Sequence, residues 1–300
     1  MKNKSLTIFL IVLLSIIVIL ISIFFVGILT NRKPKFLNFS YFNFGHKVSN
    51  ELVLDKEYDN IFKEIKINSK SSDIEIKESN ESQIKVVIYG DKEQTRVDST
   101  NETLTIISSS KSCVGFCFNT TIARIEVYLP VDFENKVIIE NNYGDIKIES
   151  FESMTLDANL DAGDIEIESI KLAKINNHYG DIKISNYSQE IEIEEDCGDV
   201  DINEVENVKI VNKYGDIKIG KVTSKLNLNN NCGDIKVGSV FLKENSTIED
   251  NLGDIEIGKT NKIYIDAKTS LGDINIKNNY RESDITLTIK NDCGDIEVNN

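Results

Sequence analysis

The sequence predicts an all-β protein, a parallel β-solenoid or β-helix of about 18-residue coils, preceded by one N-terminal transmembrane helix. Three observations predict it. The motif Gly-Asp-Ile/Val-x-Ile/Val occurs nine times, with glycine-to-glycine steps of 19, 17, 18, 17, 18, 20, 19 and 22 residues. Between the copies, apolar and polar residues alternate with the period of a strand. Finally, one long apolar run stands at the N-terminus, and no helical spacing of apolar residues follows it.

That run is Ile8 to Leu29, 22 residues interrupted only by Ser15, Ser22 and Gly27. At ~1.5 Å per residue it reaches about 33 Å, enough for a ~30 Å hydrocarbon layer. No small-x-small cleavage motif follows, so an uncleaved single-pass anchor over 7–30 is expected, with residues 1–6 cytoplasmic and the rest extracytoplasmic. Residues 31–50 read as a juxtamembrane linker, whose FLNFSYFNF stretch suits either the head-group level or an early strand. Residues 51–135 are β-rich but irregularly spaced, and are expected to form first coils or a cap. Residues 136–300 are the regular solenoid.

The nine copies place Asp145, Asp164, Asp181, Asp199, Asp216, Asp234, Asp254, Asp273 and Asp295 directly after glycine, and Ser72-Asp73-Ile74 is a tenth, weaker copy. One coil cannot bury its own apolar stripe, whereas stacked coils bury it against each other. Seven residues past the glycine a further apolar contact recurs, at Phe151, Ile170, Tyr187, Val205, Val222 and Val240. The residue before the glycine runs Tyr143, Ala162, Tyr179, Cys197, Tyr214, Cys232, Leu252, Leu271, Cys293, alternating large and small over the first six. This position is expected to face inward. Asn141, Asn177, Asn212, Asn230 and Asn291 predict an asparagine ladder at a corner. Lys147, Glu166, Lys183, Asp201, Lys218, Lys236, Glu256 and Glu297 predict outward charges pairing across rungs.

The repeats, the Ala123-Arg124-Ile125-Glu126-Val127-Tyr128-Leu129-Pro130 segment and the anchor resemble the LiaG-like putative adhesin family, β-strand-repeat envelope proteins of largely Gram-positive bacteria whose function is open. The resemblance covers residues 60–300. It implies an extracytoplasmic β-solenoid associated with envelope-stress or two-component systems, and it carries over no catalytic residues.

Composition narrows the chemistry. Of 300 residues, 28% are charged, and the net charge of −15 is uneven. Residues 1–50 hold six cations and no acid, so residues 51–300 carry 28 cations against 49 acids, a net of −21. Such a body repels phosphate backbones, which excludes nucleic-acid binding. Two histidines leave little room for His-based catalysis or a His-rich metal site.

Each motif aspartate is expected to cap its own turn by accepting backbone N–H bonds while glycine supplies a positive φ. The competing reading is a calcium row on the nine aspartates, which a nine-residue, glycine-rich repeat would suit better. Cys113 and Cys117, in a Ser-rich loop, are a candidate disulfide, with free thiols the alternative. Cys197, Cys232 and Cys293 are expected to be small buried hydrophobes. No catalytic residue, cofactor or resident metal is expected.

The functional reading is a membrane-anchored, non-catalytic adhesin or envelope scaffold. The alternatives are an accessory sensory or regulatory subunit of a cell-envelope stress system, and a polysaccharide-active β-helix enzyme. The expected partner is a protein or envelope component. The last copy, Gly294-Asp295-Ile296, is expected at the open end of the stack, inviting a weak end-to-end dimer.

Overall fold

The computed structural model describes residues 47–108 and 121–299. The expected anchor at 7–30, the linker to residue 46 and the Cys113–Cys117 loop lie outside the described residues. Among those described, no helix is long and apolar enough to cross a membrane.

The Gly-Asp corners stack. Ile146, Ile165, Ile182, Val200, Ile217, Ile235 and Ile255 stand in register on successive parallel rungs, as do the residues two further on. Long strands such as Ile146–Ala162, Ile165–Tyr179, Ile182–Cys197 and Val200–Tyr214 bend round the coil, so each presents a short strand after its corner and a longer run before the next. Isoleucine, leucine and valine from both runs fill the interior, nearly all of them wholly excluded from solvent. The β-branched majority suits this, because a stiff side chain on a pleated surface loses little freedom on packing.

At both ends the chain departs from sequence order. The coil made by Glu64–Ser69 and Ser72–Ser79 lies between the later coil of Thr103–Ser108 and Thr121–Pro130 on one side and the strand Lys136–Tyr143 with Ile146–Ile148 on the other. Antiparallel strands Leu52–Tyr58, Ile84–Tyr89 and Arg96–Ser99 flank that end. At the far end, the coil of Thr286–Cys293 and Ile296–Val298 slides between Ser246–Leu252 with Ile255–Ile257 and the coil of Tyr264–Leu271 with Ile274–Ile276. The expectation that the Gly294 copy ends the stack is therefore corrected: it is paired on both sides, and the Tyr264–Ile276 coil is outermost. The 22-residue step from Gly272 to Gly294 supplies the chain needed to step back.

A second correction concerns Tyr187. One extra residue after Ile184 shifts the register, so that Ser188, not Tyr187, pairs with Ile170 and Val205. Ser188 is buried and Tyr187 is turned out to solvent. The other five members of that apolar series are buried as expected.

Candidate functional site

Each corner is built from three neighbouring rows. The asparagine row lies inside. Asn177 Nδ2 donates to the carbonyls of Gly180 on its own rung and Gly163 on the next, at 3.0 and 3.3 Å. Asn212 does the same with Gly215 and Gly198 at 3.1 and 3.2 Å. Asn141 binds Gly144 and Ser72. The predicted ladder thus caps the turns by donating to the glycine carbonyls.

The aspartate row lies outside. Asp164 N–H donates to Asp145 Oδ1, Asp181 to Asp164, Asp199 to Asp181, Asp216 to Asp199, Asp234 to Asp216 and Asp254 to Asp234, all at 2.8–3.0 Å. The series starts at Asp73, which accepts from Asp145, and closes through Asp295 and Asp273 in spatial rather than sequence order. The aspartates therefore cap the neighbouring rung, which corrects the expectation that each caps its own turn. Each such bond in the interior of the row contributes about 1 kcal/mol. The glycine between the rows cannot be replaced cheaply. Gly180 has φ +132°, and a Cβ there would stand 2.2 Å from the Gly163 carbonyl oxygen.

Two rungs carry an acid where asparagine is usual. Glu195 sits between Asn177 and Asn212, and Asp250 between Asn230 and Asn291. Both are buried. Burial pushes Glu195 up to about 7, with the N–H of Cys197 offsetting part of that. The Asn177 side chain also favours the charged form, while Glu195 Oε2 is buried without a hydrogen-bond partner. Burial likewise raises Asp250 to about 6, and the amides of Asn251 and Leu252 lean toward it without closing a good hydrogen bond.

The row before the glycine faces outward, against expectation. Tyr143, Tyr179, Tyr214, Leu252 and Leu271 are 56, 61, 56, 53 and 69% exposed. Cys197, Cys232 and Cys293 are half-buried free thiols between them. Asparagine already fills the inside of the corner, so the two residues that follow it must both face solvent and strict alternation fails there. In space the row reads Tyr143, Ala162, Tyr179, Cys197, Tyr214, Cys232, Leu252, Cys293, Leu271. The intercalated coil, which places Cys293 between Leu252 and Leu271, restores the large–small alternation that sequence order breaks after Leu252.

On one flank of this comb, His178 Nδ1 lies 2.9 Å from Asp196 Oδ2, and Lys213 pairs with the other oxygen of Asp196. Lys213 and His178 hold Asp196 below the usual carboxylate range. On the other flank six of the eight expected outward charges pair across rungs, Lys147 with Glu166 at 3.6 Å, Lys218 with Asp201 at 3.4 Å and Lys236 with Glu256 at 2.5 Å, whereas Lys183 and Glu297 form no such pair among the described residues. Among the described residues no group of three or more His, Cys, Asp or Glu is disposed to hold a metal ion. Strand alternation alone assigns this position inward, which hides the comb in the sequence. The signal was present, in a tyrosine on every second rung.

The fold and this corner define a class: a solenoid of aspartate-capped coils whose interior is filled by its own side chains and whose distinctive chemistry is on the outside. The chain belongs to the Toastrack (DUF4097) family, which it matches over residues 62–190, 134–207 and 185–300. No curated protein is significantly similar in sequence. Among solved structures, an adhesin described as putative from Bacteroides fragilis is 18% identical, with 84% of this chain and 99% of that chain covered at a TM-score of 0.44. A second, from Parabacteroides distasonis, is 13% identical over 85% and 100% of the two chains at 0.42. A lipid-binding protein, likewise so described, from Parabacteroides distasonis is 15% identical over 84% and 100% at 0.38.

Proposed function

We propose that the chain is a membrane-tethered, extracytoplasmic binding module, an adhesin or envelope scaffold without catalysis, anchored through residues 7–30. A LiaG-like place within the Toastrack family is part of the same proposal. The observation that supports it is the outward comb of Tyr143, Tyr179, Tyr214, Leu252 and Leu271 on a rigid, self-filled body. Exposed apolar side chains lined up along a surface mark interaction sites more often than chance placement does. Repetition also supports binding over catalysis, since catalysis needs unlike groups in unlike roles at one place, and here like groups recur along an axis.

Full-length chain made in cells should fractionate with membranes, and protease applied to intact cells should digest the solenoid. Cells displaying it should be retained on cell wall or extracellular matrix, and cells displaying the Tyr143→Ser, Tyr179→Ser, Tyr214→Ser variant should not. Absence of retention together with altered stress signalling on deletion would favour the regulatory alternative.

The weak dimer moves with the correction of the end rung. Leu271 and Ile274 are exposed on the outermost coil. Residues 262–285 balance four cations with four acids within an otherwise acidic chain, so two such ends do not repel. Ile274→Lys should abolish any concentration dependence in sedimentation.

A further inference from the structure

The comb has a repeat length, and that length selects among extended ligands. Adjacent rungs are ~4.8 Å apart, so its large side chains recur at ~9.6 Å. A peptide strand shows the same face every ~6.8 Å and falls out of step after one interval. A polyproline II helix turns once in three residues of ~3.1 Å, or ~9.3 Å, and stays within about 1 Å of the comb over its four intervals. We propose that the comb Tyr143–Tyr179–Tyr214–Leu252–Leu271 is a track for a basic, proline-rich segment in the polyproline II conformation. The inference rests on the binding-module reading and names its partner class.

Side-chain chemistry agrees with the length. Proline rings pack on exposed tyrosine and leucine faces, and Ala162, Cys197, Cys232 and Cys293 leave a notch between successive large residues. A polyproline II backbone makes no internal hydrogen bonds, so its carbonyls are open to the tyrosine hydroxyls. The segment is already extended and loses little entropy on docking.

Charge sets the sign of the partner. The motif aspartates run beside the comb, exposed, with Oδ1 turned to the neighbouring rung's N–H. Asp161 stands on the other flank with Asn142, and Asp196 is shared by His178 and Lys213. Carboxylates at rung spacing repel one another and any second copy of the same face, and they attract lysine and arginine.

The test uses the full-length chain in detergent micelles and fluorescent peptides of about fifteen residues, some five polyproline turns. Pro-Pro-Lys repeats should bind at least about tenfold more tightly than Gly-Ser-Lys repeats of equal charge, because only the former hold the repeat length. Added salt should weaken that binding, and Pro-Pro-Glu repeats should not bind. The triple variant Tyr143→Ser, Tyr179→Ser, Tyr214→Ser should lose at least about tenfold with an unchanged melting temperature. Tyr187→Ser, an exposed tyrosine off the comb, should bind as the parent does. Equal binding of the Gly-Ser-Lys peptide, an unaffected triple variant, or tighter binding of a β-1,4-linked glucosamine oligomer would overturn the proposal. If no peptide binds while cells displaying the chain are still retained on wall or matrix, this inference alone falls. If retention is also absent, the binding-module reading falls with it.

Discussion

At the scale of single residues, the corner acids make the fold sensitive to pH. Glu195 is raised from 4.5 to about 7 by burial. Its protonated form is the one the fold prefers, so that stabilisation is complete below about pH 4.5 and is lost as pH rises through about 7. When protonated, the carboxyl becomes a donor beside the Oδ1 atoms of Asn177 and Asn212, both buried without partners. Glu195→Gln keeps that donor at every pH. It should raise the melting temperature at pH 8 by an amount equivalent to roughly 2–3 kcal/mol and leave stability at pH 4 unchanged. A wild-type profile flat from pH 4 to 8 would refute the burial argument. Gly180→Ala should cost about 2–4 kcal/mol in denaturant titration, since positive φ and the Gly163 carbonyl both oppose a Cβ.

At the scale of elements, the intercalated coils determine which surfaces are edges. Without Thr286–Val298, the Ser246–Leu252 and Tyr264–Leu271 strands lose the partner they share. A chain stopped after residue 285 should therefore melt in two steps, the C-terminal coils first, as followed by circular dichroism. A single cooperative transition like that of the full chain would show that the outer coil can re-pair directly with its neighbour. The bulge after Ile184 is the smaller example of the same principle. One inserted residue moves Tyr187 from the interior series to the surface, because strand side chains alternate with period two.

At the scale of the whole molecule, the aspartate row raises two expectations. Eight of the nine Oδ1 atoms, all but that of Asp273 on the outermost coil, already accept a backbone N–H from the adjoining rung, and single carboxylates per turn make a poor calcium cage. The melting temperature should be the same with calcium and with chelator, and a clear rise with calcium would return the nine aspartates to the list of metal ligands. Added sodium chloride, in contrast, should raise it, because the acidic body repels itself and salt screens that repulsion.

The sequence alone determined the coil. The Gly-Asp spacing sets the length of the coil, glycine marks the corner where φ is positive, alternation marks the strands, and asparagine marks the inside of the turn, all readable from spacing. Tertiary structure decided two things that spacing cannot show. One is the order of coils at the ends, because a parallel rung pairs equally well with any rung of matching shape. The other is the direction of the tyrosine row, because a corner suspends strand alternation and lets the residue that fills its interior choose which neighbours face water.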